Sequence, residues 1–373
     1  MKKTLVAALL AAGLAATTGV ANAQTNVRLY GLVDAFVGHV DNSRDARGAA
    51  VVVDSGGMST SFFGMNGSEE LGNGLKAVFA LESFFRPDTG AFGRFGNTPD
   101  LGFTRSAWVG LAGNFGQVTL GRNTSPYFLA SVFFNPYGDS FVFSPLIAHT
   151  WRGTQADNVA VPQGFVQGDT GLSNSLRWTS PSFGGLRADI AVSTRTDQII
   201  VTENFTGNRS QGRAADIALF FNRGPLAAGV VYRTIDLETG VAASLATDRK
   251  QNSFLLGGSY DFRVVKAFAT YQEQRDNFVV GNDAKKRNAQ LGLAVPLGPG
   301  NVLASYARSE YERAGVNDNT RDTFALGYNY PVSRRTDLYA NYYRDRIKGD
   351  DSAAAATNNN AQTVIGVGVR HRF

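Results

Sequence analysis

Residues 361–373 read Ala-Gln-Thr-Val-Ile-Gly-Val-Gly-Val-Arg-His-Arg-Phe. Extended, this stretch puts Ile365, Val367, Val369 and Phe373 on one face and Gln362, Gly366, Gly368, Arg370 and Arg372 on the other. A period of two is the mark of a β-strand with one apolar face and one wet face. Residues 263–275 repeat it, with Val265, Ala267, Ala269 and Tyr271 opposing Lys266, Thr270, Gln272 and Gln274. A soluble β-sandwich alternates too, but strands of ~5–6 residues suffice for it. The segments here approach the ~9–11 residues that cross a bilayer at a tilt. Tyr30, Phe85, Trp108, Tyr260, Tyr330 and Phe373 stand near segment ends, where interfacial aromatic girdles belong. The apolar face therefore suits lipid and the polar face a water-filled interior.

Sixteen such segments can be read, near 27–40, 58–67, 75–86, 103–112, 116–123, 171–180, 186–196, 212–221, 226–237, 250–261, 263–275, 287–295, 301–312, 321–330, 336–347 and 361–373. Tight turn chemistry joins some of them, as in Gly113-Asn114-Phe115-Gly116, Pro181-Ser182-Phe183-Gly184-Gly185 and Asn222-Arg223-Gly224-Pro225. Longer polar stretches such as 41–57, 197–211 and 348–360 join others. Alternating short and long connections imply a cylinder with two unlike ends, short turns on the periplasmic side and long loops outside. An even number of strands puts both termini at the short-turn end. An open sheet is excluded, because each unpaired backbone group in lipid costs several kcal/mol. The expectation is all-β: a sixteen-stranded antiparallel transmembrane β-barrel.

The amino terminus supports export. Lys2 and Lys3 precede an apolar run from Leu5 to about Ala16 and an Ala21-Asn22-Ala23 ending, a secretory signal with cleavage expected after Ala23. The run falls short of the ~20 residues of a spanning helix. Residues 24–373 then form a single domain. The net charge of +5, from 36 basic and 31 acidic residues, falls to +3 once the two leader lysines are removed. Charges of both signs are scattered, so nucleic acid is not an expected partner. There is no cysteine, which excludes disulfides, thiolate metal sites and thiol nucleophiles.

One connection breaks the rhythm. Thr124–Thr170 is far longer than the ~15 residues beyond which an unstructured loop is unusual, and it contains only weakly strand-like pieces. Its first half, Ser125-Pro126-Tyr127-Phe128-Leu129-Ala130-Ser131-Val132-Phe133-Phe134-Asn135-Pro136-Tyr137-Gly138-Asp139-Ser140-Phe141-Val142-Phe143, is too aromatic for disorder. The one sheltered place for an apolar loop on a barrel is the interior. Residues 124–170 are therefore expected to fold inward and narrow the channel.

Several motifs now carry a resemblance. Leu29-Tyr30-Gly31-Leu32-Val33-Asp34, Gly67-Ser68-Glu69-Glu70-Leu71-Gly72-Asn73-Gly74-Leu75-Lys76-Ala77, Leu81-Glu82-Ser83, Trp108-Val109-Gly110-Leu111, Val118-Thr119-Leu120-Gly121-Arg122, Ser180-Pro181-Ser182-Phe183-Gly184-Gly185 and Val369-Arg370-His371-Arg372-Phe373 occur in this order along the whole mature chain. Together they resemble the general porins of β-proteobacteria. The resemblance implies a homotrimer in the Gram-negative outer membrane, in contact with lipid and lipopolysaccharide. Small hydrophilic solutes and ions diffuse passively through such a barrel, and its third loop forms the eyelet. Phe373 is implied to be the signal read by the outer-membrane assembly machinery.

In that family arginines on the wall face acids on the loop, and such a transverse field orients solutes and tunes ion preference. Here Arg105 matches one wall arginine, but Phe62 and Asn66 stand where arginines are usual, as does Gly171 or Leu172. Asp139 is the single acid between Thr124 and Gln155. Strict alternation points Arg122 outward, so it needs a bulge near Gly121 to reach the lumen. The pattern predicts a charge-poor, aromatic-rich constriction drawn from Arg105, Arg122, Asp139 and the rings of Tyr127, Phe128, Phe133, Phe134, Tyr137, Phe141 and Phe143. These rings either line a path for sugars or aromatic acids or pin the loop to the inner wall. The first case would make a substrate-selective channel.

No catalytic, metal or cofactor site is expected. His39, His149 and His371 are the only histidines and lie far apart in the sequence, without a nucleophile motif beside them. Gly72-Asn73-Gly74 and Gly298-Pro299-Gly300 lack the strand-to-helix setting of a phosphate loop. The pair Glu69-Glu70 belongs to a short turn, solvated or tethering a neighbouring subunit. Arg308, Arg321, Arg344 and Arg346 belong either to the outer vestibule or to contacts with lipopolysaccharide phosphates.

Overall fold

The computed structural model describes residues 26–42, 48–94, 102–151, 170–196, 212–237, 249–278, 281–313, 316–348 and 361–373. The signal segment with its cleavage point after Ala23, and residues 152–169 of the long connection, lie outside the described residues. The strands are β1 (Asn26–Asn42), β2 (Ala49–Ser55), β3 (Phe62–Gly72), β4 (Leu75–Phe84), β5 (Ser106–Gly113), β6 (Gly116–Thr124), β7 (Gly171–Thr179), β8 (Leu186–Thr196), β9 (Gly212–Arg223), β10 (Leu226–Leu237), β11 (Arg249–Asp261), β12 (Lys266–Phe278), β13 (Ala284–Leu297), β14 (Gly300–Arg313), β15 (Val316–Pro331), β16 (Thr336–Lys348) and β17 (Ala361–Arg372). Two short helices, α1 (Pro126–Phe133) and α2 (Pro145–Trp151), lie in the connection from β6 to β7.

Strands adjacent in the sheet pair antiparallel, and β17 pairs with β1 from Leu32↔Arg372 to Asn42↔Gln362, so the sheet closes on itself. Beyond that register Phe373 N donates to Gly31 O at 3.1 Å and Gly31 N to Phe373 O at 3.2 Å. On its other edge β1 pairs with β3 through Asn26–Leu32 and with β2 through Ala35–Asp41. β2 and β3 are thus two halves of one stave, and seventeen segments build a closed sixteen-stave barrel. The expectation of a polar loop over 41–57 is corrected at Ala49–Ser55. Above the point where β3 leaves it, β1 has an open edge, and this β-branched run supplies the missing donors and acceptors.

Between β2 and β3 the chain turns a corner at Gly56–Ser61, held by Asp34 of β1. Met58 N and Ser59 N donate to Asp34 Oδ2 at 2.9 and 2.8 Å, and Tyr339 OH of β16 donates to Oδ1 at 2.5 Å. Ser61 Oγ closes the corner by accepting from Asp34 N at 2.9 Å. Gly57 is required here, because a Cβ would sit 2.1 Å from the Tyr339 hydroxyl.

The two faces follow the alternation. Val37, Ile365, Val367, Leu256, Leu291 and Tyr306 are exposed on the outer face, while Gln251, Thr270, Gln272, Asn288, Gln290 and Ser305 are buried on the inner one. Exposed leucines and isoleucines on a closed cylinder are a lipid-facing belt. The tight connections fall where turn chemistry placed them. Glu69 and Glu70 close β3 instead of standing in a turn, and Glu70 pairs with Lys76 at 2.5 Å in the open. The weakly strand-like reading of the connection from β6 is also corrected, since the elements described in it are the helices α1 and α2, joined by turns.

Asp34→Ala removes three acceptor contacts from a buried corner and should cost about 3 kcal/mol. The expected readout is a lower midpoint in the heat-induced shift of gel mobility that accompanies barrel unfolding. Tyr339→Phe should show a smaller decrease of the same sign.

Candidate channel constriction

Ser125 caps α1: its Oγ accepts from Phe128 N at 3.2 Å and Pro126 occupies the first turn. Both choices are helix-start chemistry. The same hydroxyl donates to Asp216 Oδ2 on β9 at 2.6 Å, and Tyr127 N donates to that oxygen at 3.2 Å. Arg233 on β10 lies 3.5 Å from the other Asp216 oxygen and donates to Ser125 Oγ at 3.3 Å, and both charged side chains are fully buried. A carboxylate on a helix N-terminus and a guanidinium beside it form one anchor.

Further along, the segment is keyed to the wall. The Phe134 ring fills the space above Gly229 and Gly257, where a Cβ would approach it to 2.8 and 2.4 Å. Thr270 Oγ1 donates to Phe134 O at 2.9 Å, and Tyr137 OH donates to Leu303 O at 3.0 Å. Phe143 packs edge-on against Phe36 and Tyr339, at 5.7 and 6.4 Å between ring centroids. At α2, Lys286 Nζ donates to His149 O and Arg321 Nη1 to Ala148 O at 2.9 Å, with the Arg321 fork on Asp345 at 2.9 Å for each bond. Two cations grip the last carbonyls of a helix, the end that favours them. Asp216 and Arg233 are buried while their strand neighbours Ile217 and Tyr232 are exposed on the outer face, so the anchor of α1 lies on the inner one.

The predicted residues fall into three groups. Tyr127, Phe134, Tyr137 and Phe143 are buried against the wall, so they pin the segment and do not line open water. Burial lifts the Tyr127 and Tyr137 phenols well above their ordinary value, so both stay protonated. Phe133 is 46% exposed and meets Phe220 edge-on at 5.8 Å, while half-buried Phe128 stacks on Phe141 at 6.4 Å and 24°. Asp139 is half-buried and accepts from Ser59 Oγ at 2.8 Å, and Ser59 also receives Arg370 Nη1 at 3.1 Å.

The wall arginines are engaged. Arg105 forms an ion pair with Glu82 and lies 3.9 Å over the Phe62 ring. The second Glu82 oxygen accepts from Tyr30 OH at 2.5 Å. Arg122 is turned inward by a bulge: Gly121 has φ +130°, and the β6–β7 register shifts between Gly121 and Asn123. Its guanidinium bridges Thr104 O and, at 2.7 Å, Ser173 Oγ. Sequence reasoning missed Glu82, Asp216, Asp345, Arg177 and Asp189 as partners. Their inward facing is readable from alternation, but a register is needed to pair them. Ser125-Pro126 was the legible signal for α1. Of Arg308, Arg321, Arg344 and Arg346, Arg321 alone faces inward; the other three share the outward face with Tyr306, Leu338 and Tyr342. His39, His149 and His371 sit in β1, α2 and β17, and no group of three metal-ligating side chains occurs among the described residues.

The rings of the inserted segment stand against β9 to β17 and β1. Staves β4 to β7 lie across the barrel from β12 to β15.

Comparison with known proteins gives a consistent result. The family described as Gram-negative porin matches residues 7–350. Outer membrane porin protein 32 of Delftia acidovorans is 33% identical across the whole of both chains, and an outer membrane porin protein of Bordetella pertussis is 31% identical across the whole of both. Among solved structures, the anion-selective porin from Comamonas acidovorans superposes with a TM-score of 0.73 at 27% identity, covering 94% of this chain and 100% of its own. The trimer form of OmpT from Vibrio cholerae shares the fold, with a TM-score of 0.65 at 14% identity over 94% of this chain and 99% of its own.

Asp216→Ala strands Arg233 as an uncompensated buried charge, which costs about 3–5 kcal/mol. The α1 end of the segment should then be cut by added protease at a concentration that leaves the native chain whole. Adding Arg233→Leu should restore part of the resistance.

Proposed function

Since the chain belongs to the Gram-negative porin family and is an outer-membrane porin, we propose that residues 124–170 set the width of its pore by occupying one side of the lumen. The anchoring of α1 by Asp216 and Arg233, and of α2 by Lys286 and Arg321, carries this reading, because a passage of fixed width needs a fixed insert. Small hydrophilic solutes and ions then diffuse past the exposed edge of Phe133 and the half-buried rings of Phe128 and Phe141 on one side. On the other side they pass Arg105 and Arg122. Cleavage after Ala23, assembly as a homotrimer, and contact of outward Arg308, Arg344 and Arg346 with outer-leaflet lipid complete the proposal.

Ion preference follows from how the wall charges are spent. Arg105 sits on Glu82, Arg233 on Asp216, Arg321 on Asp345, and Arg370 on Asp337 at 2.9 Å. Paired charges cancel beyond a few ångströms, so the anion selectivity in the name of the Comamonas porin is not carried over. A second reading, a channel selective for sugars or aromatic acids, is favoured by the stacked Phe128–Phe141 pair.

In planar bilayers under a tenfold KCl gradient, the reversal potential should lie nearer zero than the ideal anion limit; a value at that limit defeats the charge argument. Swelling of liposomes in neutral sugars should slow smoothly with sugar size. Saturable block by one sugar, lost on Phe128→Ala, would replace general diffusion by the selective reading.

A further inference from the structure

The wall facing the inserted segment holds a cleft of about 360 Å³ that spans β5 to β8 beside the short turns 113–116 and 180–185. Trp108, Gln117, Thr119, Arg177, Thr179 and Arg187 line it, and no carboxylate does. Arg177 is held in place by Asp189, which accepts from Nε at 2.8 Å and from Nη2 at 2.5 Å and is itself fully buried. That grip fixes the guanidinium and leaves its Nη1 group without a bond among the described residues. Arg187 differs from the paired arginines of the wall. No carboxylate meets it among the described residues, its buried Nε has no hydrogen-bond partner, and its guanidinium lies 5.4 Å over the Phe220 ring. Locally, two guanidiniums face one carboxylate. A half-buried cation without a counter-charge is costly, and an anion arriving beside it relieves that cost.

We propose that this cleft is a solute subsite for a small monocarboxylate with an aromatic or apolar body. The carboxylate would be received by Arg187 and the free edge of Arg177, the planar donor geometry that suits it. The body would lie against the Trp108 ring, with the Gln117 amide at its rim. The volume is at the small end of ligand pockets, roughly 300–1,000 Å³. A dicarboxylate would leave its second charge without a cation, and a neutral sugar would leave Arg187 as it is. The inference rests on the chain acting as a pore that admits solutes to its lumen. None of the rings of the inserted segment lines the cleft itself, although Phe220 beneath Arg187 also meets Phe133.

The full-length protein in planar bilayers, titrated with benzoate in KCl, tests it. Benzoate should reduce the current saturably, and benzamide, which has the shape without the charge, should not. Arg187→Gln should raise the half-blocking concentration at least about tenfold, Arg187→Lys less, and Trp108→Leu to an intermediate degree. The outward-facing Arg344→Gln should leave the block unchanged. If Arg187→Gln yields no channels, the Lys and Trp108→Leu variants carry the comparison. Equal effects of benzoate and benzamide, or a block indifferent to both Arg187 variants in channels that open, would overturn the subsite. A native protein that forms no channel would instead overturn the pore reading.

Discussion

In a bilayer, each backbone N–H and C=O must find its partner inside the protein, and closing a sheet is the only way strands can do so. The whole molecule depends on how β1 meets that demand. Its single run of seventeen residues bonds β17 on one edge and, end to end, β2 and β3 on the other. Asp34 makes the changeover possible by taking up the backbone donors freed where one partner strand gives way to the next. With closure secured, the remaining features follow from having an inside and an outside. Apolar residues can be exposed by the dozen, and the polar half of each strand is sheltered enough for buried ion pairs.

Those ion pairs and the glycines share a purpose. The wall is a mould for the inserted segment: Gly229 and Gly257 leave room for Phe134, Gly292 for Pro136, and Asp216 stands where a helix start presents its donors. Because most inward arginines are bound to wall carboxylates, they set shape more than field. Where that pairing stops, at Arg187, charge becomes available to something that is not part of the chain.

The strands were legible because a period of two survives any register, and the last strand shows it without ambiguity. The bulge at Gly121 was legible too, since Arg122 out of phase with Val118 and Leu120 has no other way inward. Ala49–Ser55 was not, because it lacks alternation and its strand character is lent by the open edge of β1. The helices were hidden in a run rich in aromatics, where Ser125-Pro126 was the one local mark. Which rings pin and which face water could not be read, since the sockets are glycines on strands more than 80 residues away in sequence, as for Phe134 and Gly229. Pairing of Arg177 with Asp189, or Arg105 with Glu82, likewise needs the sheet register before it exists.

The inserted segment has a mechanical meaning as well. Attached to one stave after another from β9 round to β1, it acts as a rib that stiffens that arc of the cylinder. Among the described residues neither helix of the segment packs on the arc from β4 to β7, which makes it the compliant side. Lateral pressure from the membrane, or from a neighbouring subunit, would therefore be taken up by bending a soft wall toward a stiff one. On the proposed reading the clearance between them is the passage, and its bore is tied to the elasticity of four staves.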